Sequence, residues 1–408
     1  ETAAPVYILT KQQIETALQQ SNIPSISYPQ YYDAASFKDT ISLEETLEKL
    51  KTGNSFIANP FIENVPVIPG NILTAPIDSS KVNWKSLNAK PTDKLVLSLG
   101  DKQAAFLQEV MLLEMIKSVN NDNWNRPMYF ATTVDRNLYM NLMDKLSLEG
   151  LTYRITPGEP LAGGINTEVM FDNMVNKFKW GGIDKDPNIY LDETGRRMIS
   201  TFRLYFTQLI EALIEEGKYD KALIALDKCT SSMPESVVPY GVLMARDYYK
   251  INEPEKGKEL IESIEDRILK NLDWYDRLKP QQMANTMSDI MYGNLNPLLL
   301  ITSVYQQYDK EKYKVTAEGL LQRAQFYYTQ GLSYFGDFIL RELTNGSITG
   351  YQSIVNKTTT QGNDSATIPN AADSAHVSLE ADIMSAALKM MQQYNPKLLE
   401  QYNLPSQQ

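Results

Sequence analysis

The sequence predicts a two-part chain: an N-terminal α/β or α+β domain, followed by an all-α domain of tetratricopeptide-like helical repeats. Two observations support this fold class. Strand-like and helix-like apolar periods are mixed in the first 160 or so residues, whereas only helical spacing remains after about residue 200. Part of that helical pattern recurs after 35 residues. The 408 residues, of which 43% are hydrophobic, are enough for two or three globular domains.

Five segments follow from these patterns. We expect a small α/β domain over 1–160, a connecting segment over 161–199, helical hairpins over 200–344, a flexible polar loop over 345–375 and a C-terminal capping helix over 376–408. Asn, Gly, Ser, Thr and Gln make up 18 of the 31 residues of the loop, a composition that cannot bury an apolar core.

Two capping boxes predict short helices near the start of the chain. In each box a hydroxyl side chain precedes a Glu or Gln by three residues, as Thr10 precedes Gln13 and Ser42 precedes Glu45. The hydroxyl accepts from a main-chain amide in the first turn, and the longer side chain bonds back to the capping residue.

The clearest unit of the first domain reads as strand, helix and strand. We predict strands over 94–99 and 126–133 with a helix over 101–119 between them, an order typical of a βαβ unit with two parallel strands. A further helix over 136–147 and a strand over 151–156 are predicted after it.

The second domain contains a tetratricopeptide pattern. Its first copy consists of Phe206, Leu209, Leu213, Gly217, Tyr219, Ala222, Leu226 and Pro234. Gly217 is expected to turn the chain between two helices, and Ala222 to be small where they approach. In the second copy Asn252 replaces Gly217 and Gly257 replaces Ala222. A third, divergent hairpin is expected from 280–307 with 315–331, and a last helix over 379–394 is expected to pack back on the array.

Charge and composition exclude several classes of function. The net charge of -11 argues against a nucleic-acid binder and against anionic membrane surfaces, since both require a basic face. The chain has one Cys and one His, which rules out an intrachain disulfide and a His-rich zinc site. We expect Cys229 to be a small buried packing residue and His376 a surface residue. There is no apolar run long enough to span a bilayer, and the lack of an initiator Met or signal is expected of a chain that starts within a longer protein or after processing.

A D-x-D pattern is the one candidate for metal chemistry. Asp184 and Asp186 have the spacing by which many sugar-nucleotide transferases hold a divalent cation, and Arg196 and Arg197 follow as candidates to face a phosphate. The alternative is a turn around Gly181 and Gly182 with arginines paired to nearby acids. We favour the turn, because no nucleotide-binding motif accompanies the pattern.

Short Asp-Ser-Ala sequences in the polar loop suggest a modification. Ser365 and Ser374 each stand between Asp and Ala, and Asp39-Thr40-Ile41 is similar. These triplets resemble the acceptor motif of periplasmic O-glycosylation in Bacteroidetes-type bacteria. We therefore predict Ser365 and Ser374 as candidate O-glycosylation sites.

Several longer blocks carry a family resemblance. They are Asn123–Ala131, Glu149–Arg154, Phe178–Gly181, Pro187–Asp192 and Arg196–Met198. The blocks resemble the C-terminal soluble region of a family of large Bacteroidetes-type membrane proteins, whose N-terminal membrane part resembles protein O-mannosyltransferases of the GT-C type. The resemblance covers about residues 90–265 well and the rest loosely.

The resemblance implies that the membrane part and its catalytic residues lie outside this chain. We therefore expect no catalytic residue, no cofactor and no metal here, and a location on the periplasmic side of the inner membrane. The implied partners are a polypeptide acceptor and the chain's own membrane domain. The candidate binding residues within or beside the blocks are Trp124, Arg126, Tyr153, Trp180, Arg196 and Arg197.

Three functions remain open from the sequence. The first is a non-catalytic periplasmic module of a membrane glycosyltransferase, which binds a protein or positions the acceptor. The second is a glycan-binding outer-membrane protein on tetratricopeptide helices, similar to the SusD-like lipoproteins, which requires a lipobox Cys near the start. The third is an autonomous metal-dependent transferase that uses Asp184 and Asp186.

Overall fold

The structure is a computed structural model of the chain. It describes residues 6–8, 40–52, 56–59, 62–102, 104–186, 189–233, 238–345 and 374–400. The chain divides into two compact units, Glu1–Phe178 and Lys179–Gln408. The first is mixed α/β and the second is largely helical, which confirms the predicted fold class.

Short strands and few helices make up the described part of the first unit. Its strands are β1 (Val6–Ile8), β2 (Ile41–Ser42), β3 (Phe56–Asn59), β4 (Ile62–Ile68), β5 (Ile72–Pro76), β6 (Lys94–Ser98), β7 (Ala104–Ala105), β8 (Tyr129–Ala131), β9 (Leu146–Leu148) and β10 (Thr152–Ile155). Its α-helices are α1 (Leu43–Thr52), α2 (Trp84–Leu87), α3 (Leu107–Asn121) and α4 (Thr167–Phe171), and a π-helical turn, Asp172–Lys177, continues α4.

The strands form three small sheets. One has the order β3-β4-β1-β7, with β1 parallel to β4 and antiparallel to β7. The second is antiparallel throughout in the order β8-β10-β9. In the third, β2-β5-β6, strand β5 is parallel to β2 and antiparallel to β6.

The predicted βαβ unit with parallel strands is wrong. The two strands exist as β6 and β8, but they belong to different sheets, and β7 lies between β6 and the start of α3. Strand β6 buries Leu95 and Leu97 and exposes Val96, so only one of its faces is covered. That alternation is typical of antiparallel sheets, whereas strands of parallel sheets are usually buried on both faces.

Two other local predictions have different outcomes. The strand predicted over 151–156 is confirmed as β10. The helix predicted over 136–147 is wrong: two 3₁₀ turns, Arg136–Tyr139 and Leu142–Lys145, precede β9 instead. Met140 and Asn141 separate these turns, and both have left-handed φ angles, of 48° and 58°, which an α-helix cannot accommodate.

The capping prediction for α1 is supported at Ser42. Its hydroxyl accepts a hydrogen bond from the main-chain amide of Glu45 at 3.3 Å, as expected of an N-cap. Leu43 and Leu47 on this helix are buried in the core of the unit with Leu73 and Leu95 of the adjacent sheet. The Thr10 and Gln13 box lies outside the described residues.

Helices make up most of the described part of the second unit. They are α5 (Glu193–Glu215), α6 (Tyr219–Ser232), α7 (Val238–Lys250), α8 (Pro254–Tyr275), α9 (Pro280–Asn285), α10 (Met287–Ile290), α11 (Asn296–Tyr308), α12 (Lys310–Thr329), α13 (Ser333–Asn345), α14 (Ser374–Tyr394) and α15 (Pro396–Glu400). A π-helical turn, Met291–Leu295, joins α10 to α11. No helix in the described ranges is long and apolar enough to cross a bilayer.

The two tetratricopeptide-like hairpins have the predicted turns. Gly217 joins α5 to α6 with φ of 72°, and Asn252 joins α7 to α8 with φ of 65°. Ala222 is completely buried. A Cβ atom added to Gly257 would lie 2.9 Å from the carbonyl oxygen of Ala245, so the close approach predicted at this position is confirmed.

The third hairpin differs in its boundaries from the prediction. The stretch predicted as one helix over 280–307 is divided into α9, α10, a π-helical turn and α11, and its partner begins earlier, at Lys310. The earlier start has a local cause, since the Asp309 carboxylate accepts from the Lys312 amide at 3.1 Å. On α14, Ile383, Ala387 and Met391 are buried in the core of the unit. Most of the polar loop predicted over 345–375 lies outside the described residues.

Candidate functional site

A cluster of polar side chains lies on the β8-β10-β9 sheet, around Glu149. The strand register places Arg154 directly between Tyr129 on one neighbouring strand and Ser147 on the other. Residues opposite one another on adjacent strands share a face of the sheet. Glu149 follows Ser147 by two residues and therefore joins the same face. We call Tyr129, Ser147, Glu149, Arg154 and Asn166 the Glu149 cluster.

The carboxylate of Glu149 is the centre of this cluster. Only 3% of the residue is exposed. The Tyr129 hydroxyl donates to its Oε2 at 3.0 Å, and the Asn166 side-chain amide donates to its Oε1 at 2.9 Å. The Arg154 Nη1 atom lies 3.6 Å from Oε1. A buried carboxylate requires such donors and a counter-charge, because it has lost its hydration.

The partners of Glu149 are positioned by the start of α4 and by the π-helical turn that continues it. Asn166 is the N-cap of α4, and its side-chain oxygen accepts from the Val169 amide at 3.4 Å. Asn173, from the π-helical turn, donates to the main-chain oxygen of Glu149 at 2.8 Å. Gly150 follows with φ of 123°, an angle that residues other than glycine rarely adopt. The chain turns there into β10.

Two buried polar atoms of the cluster have no hydrogen-bond partner. They are the Ser147 Oγ and the Arg154 Nε, although the Arg154 Nη1 also donates to the Ser86 carbonyl at 3.0 Å. Tyr129 is 42% exposed and connects the cluster to the surface. Burial, followed by the charge of Glu149, raises the pKa of the Tyr129 hydroxyl, so it remains a donor at neutral pH. Because both Glu149 oxygens already accept, the carboxylate serves as an anchor for its donors.

Sequence reasoning missed Glu149 as a site residue, and its prediction of Tyr153 falls on the other face of the same sheet. Tyr153 is opposite Phe130 and Leu148 in register, and its ring meets that of Tyr139 edge-on at 6.1 Å. A regular alternation of apolar and polar residues marks only β9, where Ser147 stands between two leucines, so no local pattern joins the members of the cluster.

The other two candidates in this unit, Trp124 and Arg126, lie at the end of α3. Trp124 is buried, and its indole nitrogen donates to the Asn120 side-chain oxygen at 3.0 Å. The guanidinium of Arg126 bonds to Asp122 at 3.0 Å and to the Ser118 hydroxyl at 3.0 Å. A cation at this end of a helix complements its dipole. These hydrogen bonds stabilise the C-terminal end of α3. Neither residue belongs to the Glu149 cluster.

The candidates in the second unit lie at and before the start of α5. The Trp180 ring packs on Phe202 and Phe206, with centroids 5.7 and 6.0 Å away, and its buried indole nitrogen has no hydrogen-bond partner. Arg196 donates to the Leu191 carbonyl at 3.1 Å. Arg197 pairs with Glu193 at 2.5 Å on the surface.

Asp184 and Asp186 are exposed in the turn that follows Trp180. Gly181 and Gly182 have positive φ angles, of 63° and 96°, and the Lys185 amide donates to the Gly182 carbonyl at 3.0 Å. Across the described ranges, no group of three or more His, Cys, Asp or Glu side chains could hold a metal ion.

Replacing Asp184 with alanine is expected to leave both Mn²⁺ binding and thermal stability unchanged, because the side chain is exposed in a turn that main-chain contacts form. Titration calorimetry with Mn²⁺ and a sugar nucleotide, followed by thermal unfolding, checks this. Saturable heat that disappears in Asp184→Ala would restore the metal-dependent transferase.

The side chains of the two predicted glycosylation sites, Ser365 and Ser374, lie outside the described residues. Ser374 is the first residue of α14.

Cys229 is completely buried on α6, as expected of a packing residue. Its thiol lies 3.6 Å from the sulfur of Met244, and burial raises its pKa to about 12. We expect a thiol reagent at pH 8 to leave the native chain unlabelled and to label it fully in denaturant, since the thiolate is the reactive form. Rapid labelling of the native chain would contradict the burial of α6 against α7.

By its fold, the chain consists of a mixed α/β unit with a buried polar cluster, followed by a unit of helical hairpins. Residues 3–173 match the family model TMEM260-associated domain 2. TMEM260 is an O-mannosyltransferase-like family, and the match covers less than half of the chain, with the rest unassigned. It includes the Glu149 cluster and two of the blocks that carried the resemblance, Asn123–Ala131 and Glu149–Arg154. No curated protein and no solved structure matches the chain.

Proposed function

We propose that this chain is a non-catalytic, extramembrane part of an O-mannosyltransferase-like membrane protein and that it positions a polypeptide acceptor. The observation that carries the proposal is the match of residues 3–173 to a TMEM260-associated domain. On this proposal sugar transfer takes place in a membrane domain, on the periplasmic side of the inner membrane. The partners of the chain are that domain and the acceptor.

The Glu149 cluster supports an anchoring role over a chemical one. The carboxylate is buried, both of its oxygens accept hydrogen bonds, and its cation, Arg154, is also bonded to a main-chain carbonyl. A general base needs an oxygen that a bound substrate can reach, and only 3% of Glu149 is exposed. The cluster instead fixes three strands and α4 to one another around one charge.

The helical hairpins supply a surface suited to polypeptides. Stacked helical pairs such as α5 with α6 and α7 with α8 form extended surfaces, which repeat proteins use to bind other chains. We therefore assign acceptor binding to the second unit and attachment to the transferase to the first.

The test compares three strains of the native host. In one the parent gene is intact, in one the part that encodes this chain is deleted, and in one Glu149→Ala in the first unit is the only change. Protein-linked sugar is measured by mass spectrometry of periplasmic proteins, and the amount of membrane part by immunoblot. We expect the deletion to abolish protein-linked sugar while the membrane part stays at its normal level.

Hydrolysis of the lipid-linked sugar by membranes of these strains is the matched control, because it needs the donor site and no acceptor. It should persist in the deletion strain. Unchanged protein glycosylation in that strain would overturn the proposal, as would sugar transfer by the purified chain alone.

A further inference from the structure

Two carboxylates share one arginine where the first helical hairpin meets the second. The Arg246 Nη2 atom, on α7, donates to the Glu211 Oε1 atom of α5 at 2.6 Å and to the Asp247 Oδ1 atom of its own helix at 3.1 Å. The Arg246 Nε atom donates to the same Asp247 oxygen at 3.2 Å, and the Lys250 Nζ atom lies 3.0 Å from it. We call these four residues the Arg246 group. Glu211 supplies the contact from α5, and the other three residues lie on α7.

The two carboxylates are held unequally. Asp247 is completely buried, and its Oδ1 atom contacts both cations of the group. The side chain of Glu211 is 27% exposed, and its hydrogen bond is to a nitrogen that Asp247 also uses. A buried carboxylate needs full compensation for its lost hydration, and one nitrogen divided between two carboxylates gives each of them less. Glu211 is therefore the less well compensated of the two.

The electrostatics of Glu211 agree with this geometry. Burial, followed by the charge of Asp247, raises the pKa of Glu211, although Arg246 and Lys250 act in the opposite direction. A raised pKa means that the ionised form is less stable in the folded chain than in the unfolded one. The stability that protonated Glu211 contributes is complete below its ordinary pKa of 4.5, and it is lost as the pH rises through the pKa of the folded chain.

The other helices packed against α7 add one titratable group. Tyr308, at the end of α11, is close enough to feel the charges of Arg246 and Asp247. Burial raises the pKa of its hydroxyl, which therefore stays neutral at the pH where a glutamate titrates. Helices α6 and α8 supply no ion pair to the Arg246 group in the part of the chain that the structure describes. Glu211 is thus the one carboxylate that α5 contributes to this contact.

We propose that the Arg246 group is a pH-sensitive joint between the two hairpins, which loosens when Glu211 is ionised and tightens when Glu211 takes up a proton. A protonated Glu211 no longer repels Asp247, and it leaves the Arg246 nitrogen to that residue. Its hydroxyl is then a donor. The joint connects α5 to α7, so its state sets how firmly the first hairpin is held on the second. This inference goes beyond the proposed function and stands whether or not the chain positions an acceptor.

The test is Glu211→Gln in the full chain, because glutamine has the shape of a protonated glutamate and cannot ionise. Thermal unfolding is compared with that of the unchanged chain from neutral pH down to 4.5. We expect the substitution to raise the unfolding midpoint of the second unit at neutral pH by about 2–4 °C, although it removes an ion pair. The difference should disappear as the pH falls and the unchanged chain takes up its proton.

Hydrogen exchange measured by mass spectrometry locates the effect. At neutral pH, peptides from α5 and α7 should exchange more slowly in Glu211→Gln than in the unchanged chain, and at the same rate in both near pH 4.5. Peptides of the first unit should not differ at either pH. This pattern is expected of a joint between two hairpins, since local opening exposes only the helices that it separates.

Two further variants make the test specific. Glu193→Gln removes an exposed pair with Arg197 on α5 and should change the midpoint little at any pH. Asp247→Asn should lower the midpoint at every pH, because it leaves two cations without their buried partner. A lower midpoint for Glu211→Gln at neutral pH would overturn the proposal. So would a difference that does not change with pH, or a pH-dependent gain in Glu193→Gln or Asp247→Asn.

Discussion

Replacing Glu149 with alanine is expected to lower the free energy of unfolding of the first unit by about 3–5 kcal/mol. The substitution leaves Arg154 without its counter-charge in a buried position, and it removes the acceptor for Tyr129 and Asn166. Removing one partner of a buried pair costs far more than the net value of the pair, because the other charge stays desolvated. Glu149→Gln keeps the shape and should cost less.

The matched control for this prediction is Glu159→Ala. Glu159 pairs with Lys90 at 2.7 Å, but both side chains are more than half exposed. Exposed pairs of this kind contribute less than about 1 kcal/mol. Urea unfolding monitored by tryptophan fluorescence measures the loss, and Cys229 labelling in the same samples reports separately on the second unit. An equal, small loss for both variants would show that Glu149 is not buried as described.

Replacing Gly257 with alanine is expected to destabilise the second unit by about 1–3 kcal/mol, in spite of the higher helix propensity of alanine. The added Cβ would lie 2.9 Å from the Ala245 carbonyl oxygen and 3.0 Å from the Tyr249 ring. Helices α7 and α8 would have to move apart at the point where they cross.

Gly319 is the matched control, since it lies within α12 and an added Cβ would meet nothing within 4 Å. Gly319→Ala should therefore stabilise the unit by about 0.5–1 kcal/mol. The two substitutions are chemically identical and are expected to act with opposite signs. Thermal unfolding followed by circular dichroism measures both, and stabilisation by both would contradict the close approach of α7 and α8.

The helical repeats could be predicted because their signals are local. Gly217 and Asn252 mark turns that need a positive φ, and Gly257 marks a crossing that needs a small residue. Each requirement acts on one residue and can be read from its position in a 35-residue repeat. The same local reading failed at Met140 and Asn141, which adopt left-handed angles and interrupt a predicted helix, because the turn tolerance of Asn141 was outweighed by the apolar spacing around it.

The sheets and the Glu149 cluster depend on contacts between distant residues. Alternation in β6 is visible in the sequence, but its partner β5 is not indicated by any local pattern, and strand order alone suggested a parallel pair with β8. Glu149 is bonded to Asn166 and Asn173, which lie 17 and 24 residues further along the chain. Only the fold brings these side chains to one carboxylate, so the sequence predicted the apolar strands and not the polar cluster.

We propose that this chain positions an acceptor for a transferase and transfers no sugar itself. The decisive measurement uses membranes from the deletion strain, which would hold the membrane part of the proposed parent protein but not this chain. The purified chain is added to them with radiolabelled lipid-linked sugar and with periplasmic proteins from the same strain. We expect label to reach protein only when the chain and the membranes are combined, and we expect the Glu149→Ala chain to restore less labelling than the Glu159→Ala chain. Transfer by the chain alone, or full transfer by the membranes alone, would contradict it.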